Sequence, residues 1–376
     1  MDDACFSNLF GKERGTKMIR VLMCGPQADS GGVANHTKSL IKEFSSLEVS
    51  LIFYNFSKGN SSNLNWGYAK KTYRRTIGLL FEAILRKDKY DLIHVQTSGG
   101  LSSFLSSITG SFASKIVNKK LVITFHHSNT EEFVDKYKHI FKFVLRFSDR
   151  MILVSEKQKK YISNVFPEYS SKLVVIPNGY DADFYYPRDI DDCRIKLDLP
   201  HDKKIIYNIS NLIEVKGHKY LIKAMKSIVQ ERNDVLCVIV GKGYLVDQLE
   251  SQIEVEGLQD YVKLVGWKPD DEVPIFMNAC DFFVHASLKE GNPTVMFECL
   301  GCGKPYVGTR VGGVPEIITH KDYGLLVEPG NPQDLAEKIM DALNKNWNKT
   351  KIISYSAQFT WENISRQTLD VYNKIS

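Results

Sequence analysis

The sequence predicts an α/β protein made of two doubly wound domains that face each other across a cleft. Short apolar runs alternate with longer amphipathic segments, which indicates parallel sheets covered by helices on both faces. The alternation breaks once, at the turn-rich residues 178–187, and then starts again. The length of 376 residues also exceeds what one hydrophobic core usually serves. Ligands bind beyond the C-terminal ends of such strands, so two facing sheets would place a site between them.

Twelve apolar runs have the length and composition of buried strands, six on each side of the break. The first six are Ile19–Cys24, Val49–Phe56, Leu92–Val95, Leu121–Phe125, Met151–Val154 and Leu173–Ile176. The second six are Ile205–Ile209, Leu236–Val240, Val262–Val265, Phe282–Ala286, Pro305–Val307 and Leu325–Val327. The break therefore predicts a first domain at residues 18–187 and a second at residues 188–355.

The N-terminal residues 1–17 lack the apolar stretch of a signal peptide, so we interpret them as a flexible leader before the first strand. No run of about twenty apolar residues occurs, which argues against a membrane-spanning helix. Seven cysteines are scattered along the chain. Cys299 and Cys302 form a C-x-x-C pair without the second pair that a zinc site needs. We therefore interpret them as helix-packing residues and expect no metal.

Charge is distributed unevenly between the two halves. Residues 1–187 contain 26 Lys and Arg and 17 Asp and Glu, whereas the remaining residues contain 23 and 27. A basic first half predicts contact with an anionic partner. No nucleic-acid fold signature accompanies the basic residues, so nucleic acid is not the expected partner.

The stretch from Cys280 to Ile318 carries the clearest chemical signal. After the strand Phe282–Ala286, residues 289–293 read as a turn, and a helix is expected from Thr294 to about Leu300. Asn292 suits the N-cap of that helix and Pro293 its first position. The free amides near Pro293, Thr294 and Val295, with the positive helix end, would bind a phosphate.

Two carboxylates bracket this predicted anion site. Glu290 lies in the turn, and Glu298 lies a little over one turn into the helix. Because helical side chains lean toward the N-terminus, Glu298 is expected to reach the same mouth. Phosphate donors beside carboxylates that accept hydroxyl hydrogen bonds are what a nucleotide sugar requires.

Other strand ends add groups to the same edge. Gly31-Gly32 follows the first strand and would let backbone approach a phosphate closely. His126 closes the fourth strand, and a histidine there is a candidate functional group. Lys216 and Lys242 follow consecutive strands of the second domain, which favours phosphate contact over simple solvation.

Residues 69–87 read as an amphipathic helix. Its apolar face is expected to comprise Tyr73, Ile77, Leu80, Phe81 and Ile84. Basic residues cluster at both ends: Lys70, Lys71, Arg74, Arg75, Arg86 and Lys87. Two interpretations remain open. The apolar face packs in the core and leaves a solvated basic rim, or the helix contacts anionic lipid headgroups or an anionic acceptor.

Taken together, the motifs of residues 18–376 resemble those of the family 4 retaining glycosyltransferases, which have the GT-B fold. The E-x7-E motif of that family matches Glu290 and Glu298, its Gly-Gly loop matches Gly31-Gly32, and its first-domain histidine best matches His126. The segments 175–187, 309–316 and 324–329 also fit. The segment 359–372 resembles the last helix of the family, so residues 356–376 are expected to cross back and complete the first domain.

The resemblance implies a metal-independent hexosyltransferase that uses a UDP- or GDP-linked sugar, needs no cofactor and retains the anomeric configuration. It implies catalytic roles for three residues: His126 beside the sugar, Glu290 on its hydroxyls and Lys216 on the leaving diphosphate. Glu298 would accept hydrogen bonds from the ribose. The implied donor-binding residues are Gly31, Gly32, Asn211, Lys216, Lys242, Glu290, Asn292, Pro293, Thr294, Val295 and Glu298.

The chain departs from the family at one position, where Ser210-Asn211 replaces the usual Gly-Arg. That arginine normally helps to hold the diphosphate. Lys242 and Arg310 are both candidates for the second cation, and we expect Lys242 because its glycine neighbours allow close approach. Two other functions remain open, a sugar-nucleotide epimerase of the same fold and a non-catalytic sugar-nucleotide-binding protein. The expected acceptor is lipid-linked, a glycan or a polysaccharide. The expected location is the cytoplasm, with peripheral attachment at the inner membrane face.

Overall fold

The computed structural model describes residues 18–27, 31–47, 49–57, 64–98 and 100–376, so the predicted leader lies outside the described residues. The first sheet contains six parallel strands in the order β2-β1-β3-β4-β5-β6. These are β1 Ile19–Gly25, β2 Val49–Asn55, β3 Leu92–Ser98, β4 Lys120–His126, β5 Arg150–Leu153 and β6 Leu173–Val175.

The second sheet also contains six parallel strands, in the order β12-β11-β10-β7-β8-β9. These are β7 Lys204–Ile209, β8 Val235–Val240, β9 Val262–Leu264, β10 Phe282–His285, β11 Tyr306–Thr309 and β12 Gly324–Val327. The prediction of two doubly wound sheets is confirmed, and every predicted strand occurs within a few residues of its expected place.

Helices connect the strands and cover the sheets. Those of the first half are α1 Gly32–Phe44, α2 Leu64–Tyr73, α3 Leu79–Leu85, α4 Leu101–Ile116, α5 Thr130–Lys136, α6 Lys138–Phe147 and α7 Glu156–Val165. Those of the second half are α8 Ile190–Lys196, α9 His218–Glu231, α10 Val246–Val255, α11 Val273–Ala279, α12 Thr294–Gly301, α13 Val314–Ile317, α14 Pro332–Leu343, α15 Lys349–Ser356 and α16 Trp361–Asn373. None of the helices in the described part of the chain has the length and apolarity needed to cross a bilayer.

Strand β1 shows why the first sheet is buried on both faces. Val21, Leu22, Met23 and Cys24 are all fully buried. Alternate side chains of a strand point to opposite faces. Leu22 and Cys24 therefore join a core with α3, α4 and α6, whereas Val21 and Met23 join a core with α1 and α16. A near-continuous apolar strand is the sequence consequence of this double burial.

The chain crosses from one domain to the other twice, and the two crossing segments lie side by side. Beyond β6, Tyr180 donates its amide to the carbonyl of Phe359 at 3.0 Å, and the amide of Trp361 donates to the carbonyl of Tyr180 at 2.9 Å. Helix α16 then packs on the first sheet, where Trp361 and Tyr372 are buried beside Val21. The last helix thus covers a face of the sheet formed by the first half of the chain.

The segment predicted as one amphipathic helix, residues 69–87, has a different form. Helix α2 ends at Tyr73, a π-helical turn spans Arg74–Gly78, and α3 follows. The turn has a wider spacing than 3.6 residues, so it rotates the two helices relative to each other. Leu79 and Ala83 are fully buried, whereas Tyr73, Ile77, Phe81 and Ile84 are exposed. The interpretation that this apolar face packs in the core is therefore wrong.

Candidate functional site

A cavity of about 480 Å³ lies between the C-terminal edges of the two sheets. Both domains contribute to its wall, as the topology predicted. Most of the predicted site residues line it: Gly32, His126, Asn211, Lys216, Lys242, Glu290, Asn292, Pro293, Thr294 and Val295. Two do not. Gly31 immediately precedes α1, and Glu298 is partly exposed on α12 but is not part of the wall.

The N-terminus of α12 opens on this cavity. Pro293, Thr294 and Val295 at its start line the wall. The first amides of a helix have no intrahelical acceptor and carry the positive end of its dipole, which suits an anion. Leu300 and its apolar neighbours on the helix are buried, so the core fixes the direction in which this end points.

The predicted N-cap of α12 is wrong. Pro293 occupies the cap position, and no side chain caps the helix. The side chain of Asn292 turns instead to the linker, where its Oδ1 accepts from the amide of Asn178 at 3.1 Å. Asn178 Nδ2 donates back to the carbonyl of Asn292 at 2.5 Å. A bond between the two domains has replaced a local cap, which leaves the first amides of α12 uncapped.

Glu290 and Lys216 form an ion pair inside the cavity. Lys216 Nζ lies 2.5 Å from Glu290 Oε1, and His285 Nε2 lies 3.3 Å from the same oxygen. Burial would raise the pKa of Glu290, but the His285 hydrogen bond and the charges of His285 and Lys216 outweigh it and lower the pKa to about 2. Glu290 is therefore ionised near neutral pH, with one cation already positioned beside it.

His285 was not predicted from the sequence. Its Nδ1 lies 2.8 Å from the Tyr306 hydroxyl and its Nε2 lies 2.8 Å from Ser287 Oγ, so three neighbours hold the ring. It is the last residue of β10, and its place at a strand end is the same signal that selected His126.

The carboxyl group of Glu298 has a shifted pKa. Burial raises the pKa to about 7, a hydrogen bond from Tyr185 offsets part of this rise, and nearby Asp270 adds to it. Asp270 itself lines the cavity. Glu298 is therefore held between an ionised and a neutral state at neutral pH.

His126 ends a buried chain of polar side chains. Its Nε2 lies 2.9 Å from Gln96 Oε1, and Gln96 Nε2 lies 3.3 Å from His94 Nε2. His94 Nδ1 in turn lies 2.5 Å from the hydroxyl of Tyr372 on α16. Burial, with smaller effects of His36 and His94, lowers the pKa of His126 well below its ordinary value. His126 is thus a neutral ring, and Gln96 fixes its orientation.

The two lysines expected at the diphosphate, Lys216 and Lys242, both line the cavity. Lys242 lies on the cavity wall near Asn211, with its Nζ 5.0 Å from the centre of the Trp267 ring. The amide of Leu212 donates to the carbonyl of Lys242 at 2.9 Å, which ties the two loops together. Trp267 is 56% exposed and also lines the cavity. It follows β9 and was missed because we attached no chemistry to that strand end.

A second cavity, of about 300 Å³, adjoins the first and shares His127, Ser128, Glu290 and Gly291 with it. Basic side chains at its wall are Lys157, Lys289 and Arg310. The domains approach closely at this junction, since a Cβ on Gly291 would lie 3.2 Å from the carbonyl oxygen of His127 in the other domain.

Beyond the cavities, a carboxylate joins the domains. Glu316 at α13 accepts from the amides of Glu156 and Lys157 at 2.6 and 2.7 Å, so it caps the N-terminus of α7. Ser155 Oγ accepts from the next amide, that of Gln158, at 3.2 Å. One domain therefore supplies the helix cap of the other.

The cysteine pair takes no part in the site. Cys299 and Cys302 are buried free thiols, and burial raises the pKa of both. In the described ranges, no cluster of three or more His, Cys, Asp or Glu side chains has the arrangement of a metal site.

Comparison with known proteins identifies the family. The model for glycosyltransferase family 4 matches residues 30–184, and the model for glycosyl transferases group 1 matches residues 189–359. The chain belongs to glycosyltransferase family 4. The family 4 match ends inside the linker at 178–187, and the group 1 match covers the whole second sheet.

Curated relatives of this family 4 glycosyltransferase cover most of its length. An uncharacterized glycosyltransferase of Methanocaldococcus jannaschii, MJ1178, is 29% identical over 92% of this chain and 95% of its own. The GPI3 subunit of phosphatidylinositol N-acetylglucosaminyltransferase of Saccharomyces cerevisiae is 27% identical over 78% of this chain and 65% of its own.

Solved structures show the same architecture. Anabaena Alr3699/HepE, crystallised with UDP, superposes with a TM-score of 0.74 at 22% identity over 95% of this chain and 100% of its own. Sucrose-phosphate synthase of Thermosynechococcus elongatus superposes with a TM-score of 0.74 at 19% identity over 95% of this chain and 99% of its own. These similarities establish the GT-B fold of this family 4 glycosyltransferase.

Proposed function

We propose that this chain is a retaining hexosyltransferase that moves a sugar from a UDP-linked donor to a lipid-linked, glycan or polysaccharide acceptor. The observation that carries the proposal is the Lys216–Glu290 pair beside the open N-terminus of α12. One wall of the cavity then offers Lys216 and the first amides of α12 as donors for a diphosphate. The same wall offers the ionised carboxylate of Glu290, 2.5 Å from Lys216 Nζ, as an acceptor for sugar hydroxyls.

The residues divide the donor among themselves. The amides of α12, Lys216 and Lys242 face the diphosphate, where negative charge grows as the bond to the sugar breaks. Glu290 accepts hydrogen bonds from the sugar hydroxyls, and His126 contacts the sugar as a neutral hydrogen-bonding group. Glu298 and Asp270 accept from the ribose hydroxyls. These side chains and amides meet the diphosphate without a metal ion.

The choice of a UDP-linked donor comes from structural neighbours. Alr3699/HepE was crystallised with UDP, with UDP and glucose, and with UDP-glucose. On this chain, the ring of Trp267 lies beside Lys242 and offers a stacking face for the base. The base would then lie at the same end of the cavity as Glu298 and Asp270, the proposed acceptors for the ribose hydroxyls.

The acceptor is expected in the second cavity. Because it shares Glu290 and His127 with the donor cavity, a molecule there lies next to the transferred sugar. Attack by its hydroxyl forms the new glycosidic bond as the bond to the diphosphate breaks. The hydroxyl proton then passes to the departing diphosphate oxygen on the same face of the sugar.

Titration calorimetry with UDP, GDP and ADP tests the donor assignment. We expect UDP to bind most tightly and Lys216→Met to weaken it by about 30-fold or more, because a charge-assisted contact to the diphosphate is lost. The matched control is Lys223→Met, at an exposed lysine of α9 outside the cavity. Absence of UDP binding, or equal loss in the control, would contradict the proposal.

Product analysis separates transfer from the two alternatives. Incubation with UDP-sugars and an acceptor panel should release UDP and yield a glycosylated acceptor. An altered UDP-sugar formed without acceptor would instead show an epimerase. If UDP binds but no UDP-sugar yields either a glycosylated acceptor or an altered UDP-sugar, the chain is a non-catalytic binding protein. That alternative is open because Asn211 replaces the usual arginine.

A further inference from the structure

We propose that the outer face of α3 and α4 is a docking surface for an anionic membrane. Large apolar side chains project from this face, with exposed fractions from 39% for Ile84 to 76% for Leu85. We call this set the apolar ridge. It comprises Tyr73 at the end of α2, Ile77 in the π-helical turn, Phe81, Ile84 and Leu85 on α3, and Phe112 and Ile116 on α4.

The ridge extends over two neighbouring helices, and Phe112 on α4 also packs against Phe143 of α6 with ring centres 5.0 Å apart. Phe81 and Leu85 are spaced by four residues within α3, as are Phe112 and Ile116 within α4, so each pair forms one stripe. Helices α3 and α4 pack against each other on one face of the first sheet. Single exposed apolar residues are common on soluble proteins, but stripes on adjacent helices indicate an interaction surface.

The buried side of the same segment shows that the exposure is built in. Leu79 and Ala83 fill the core under α3, so the helix already has its packed face. At the π-helical turn, a Cβ on Gly78 would lie 2.3 Å from the Tyr54 hydroxyl. The burial of Leu79 and Ala83 therefore fixes the orientation in which the ridge points outward.

Basic residues surround the ridge. Residues 69–90 contain seven Lys and Arg against two Asp and Glu, and residues 101–119 contain two lysines and no acid. Lys70, Lys71 and Lys87 are exposed and form no ion pair within the described residues. Arg74 and Arg75 are different, since they bond inward to the carbonyls of Asn55 and Ser102.

Apolar side chains framed by free lysines match the interface of an anionic bilayer, where the rings enter the headgroup region and the lysines meet the phosphates. A second copy of the chain fits less well, because two such faces would bring their lysines together. The bond from Arg75 to the carbonyl of Ser102 also ties the π-helical turn to the start of α4. The inference does not depend on the donor chemistry.

Vesicle sedimentation tests the docking surface. The full chain should sediment with vesicles containing phosphatidylglycerol and much less with phosphatidylcholine alone, and 0.5 M salt should weaken the binding because it screens the lysines. The triple variant Lys70→Glu, Lys71→Glu, Lys87→Glu should lower the partition coefficient by about 10-fold or more. The double variant Phe81→Ser, Leu85→Ser should lower it at any salt concentration.

Matched substitutions control for general changes of charge and apolar surface. Lys223→Glu and Val255→Ser alter exposed residues of the second domain and should leave sedimentation unchanged. Thermal unfolding shows that each variant is folded. The proposal is overturned if wild type does not sediment, if the ridge variants sediment like wild type, or if sedimentation velocity shows a dimer that the ridge variants dissociate.

Discussion

At the scale of single residues, His126 depends on groups far from the cleft. Gln96 accepts from its Nε2, and the chain continues through His94 to Tyr372 on the last helix. Because Asn and Gln amides have distinct donor and acceptor ends, Gln96 sets which nitrogen of His126 carries the proton. The buried side chain of Gln96 therefore determines which ring nitrogen of His126 remains free for the substrate.

Replacement of His126 should affect turnover more than nucleotide binding. We expect His126→Ala to lower kcat by about 100-fold or more, because the group is placed at the sugar and not at the nucleotide. The Kd for UDP, measured by calorimetry, should change little. His127→Ala is the control; His127 is the next residue and lines both cavities. A larger loss of kcat in His127→Ala would show that the first-domain histidine of the family matches His127 and not His126.

Glu298 is expected to give nucleotide binding a dependence on pH. Its pKa is raised to about 7, so acidification below neutral pH protonates the carboxyl. A neutral carboxyl accepts ribose hydrogen bonds poorly, so the affinity for UDP should fall toward pH 6, by up to about 10-fold per unit below the pKa. Calorimetry from pH 6 to 8 measures this, and Glu298→Gln should flatten the curve. A curve unchanged by the substitution would exclude Glu298 as its origin.

The Glu298 carboxyl also gives the stability of the ligand-free protein a pH dependence, opposite in sign to that expected for UDP binding. An unfolded glutamate titrates near pH 4.3, so between about pH 4.3 and 7 the folded protein holds an additional proton. The contribution of this group to the free energy of unfolding therefore falls as the pH rises through that range. The ligand-free protein and its nucleotide complex should thus have different pH optima of stability.

Lys242 is expected to stand in for the arginine that Asn211 replaces. Lys242→Ala should weaken UDP binding less than Lys216→Ala, because Lys216 lies beside Glu290 whereas Lys242 lies over Trp267 at the cavity edge. Asn211→Arg should tighten binding through a forked donor set. Affinities by calorimetry decide this; a silent Lys242→Ala with a severe Asn211→Ala would assign the contact to the amide instead.

At the scale of elements, α16 is expected to stabilise the first sheet selectively. Trp361 is buried, and its ring centre lies 4.9 Å from that of His36. Trp361→Ala should lower stability by about 3–5 kcal/mol, the usual cost of removing a large buried side chain. Hydrogen exchange should show the loss in β1–β6 and not in β7–β12. Trp267→Ala, at an exposed tryptophan, is the control and should change protection little.

Sequence patterns predicted the strands well because burial on both faces leaves a near-continuous apolar run, as in β1 and β8. The pattern of residues 69–87 left open whether its apolar face packs in the core, because amphipathicity does not say which side meets the core. The pattern also did not indicate the π turn, which changes the period. Asn292 was assigned a local cap, whereas its partner Asn178 is 114 residues away. Contacts between domains leave no local signal in the sequence.

At the scale of the whole molecule, side-chain hydrogen bonds join the two domains beside the cleft. Asn178 and Asn292 join them beside the linker, and Glu316 joins them through the end of α7. Because a cap on exposed amides contributes about 0.5–2 kcal/mol, we expect the loss of a single side chain to shift the molecule away from this closed form.

Removal of the Glu316 cap should open the cleft without unfolding either domain. We expect Glu316→Ala to increase the radius of gyration of the ligand-free protein in X-ray scattering, and saturating UDP to reduce the difference. Glu254→Ala, an exposed acid on α10, serves as the control. Equal radii for all three proteins would show that the cap does not hold the closed form.

The position of α16 also bears on how the chain is made. A ribosome releases the first six strands early, but the helix that covers one of their faces follows the whole second domain in the sequence. Throughout synthesis of the second domain, Val21 and Met23 therefore lack their final cover, and His94 lacks the Tyr372 hydroxyl. The nascent first half should remain loosely packed until α16 has been made, so His126 acquires its fixed orientation only then.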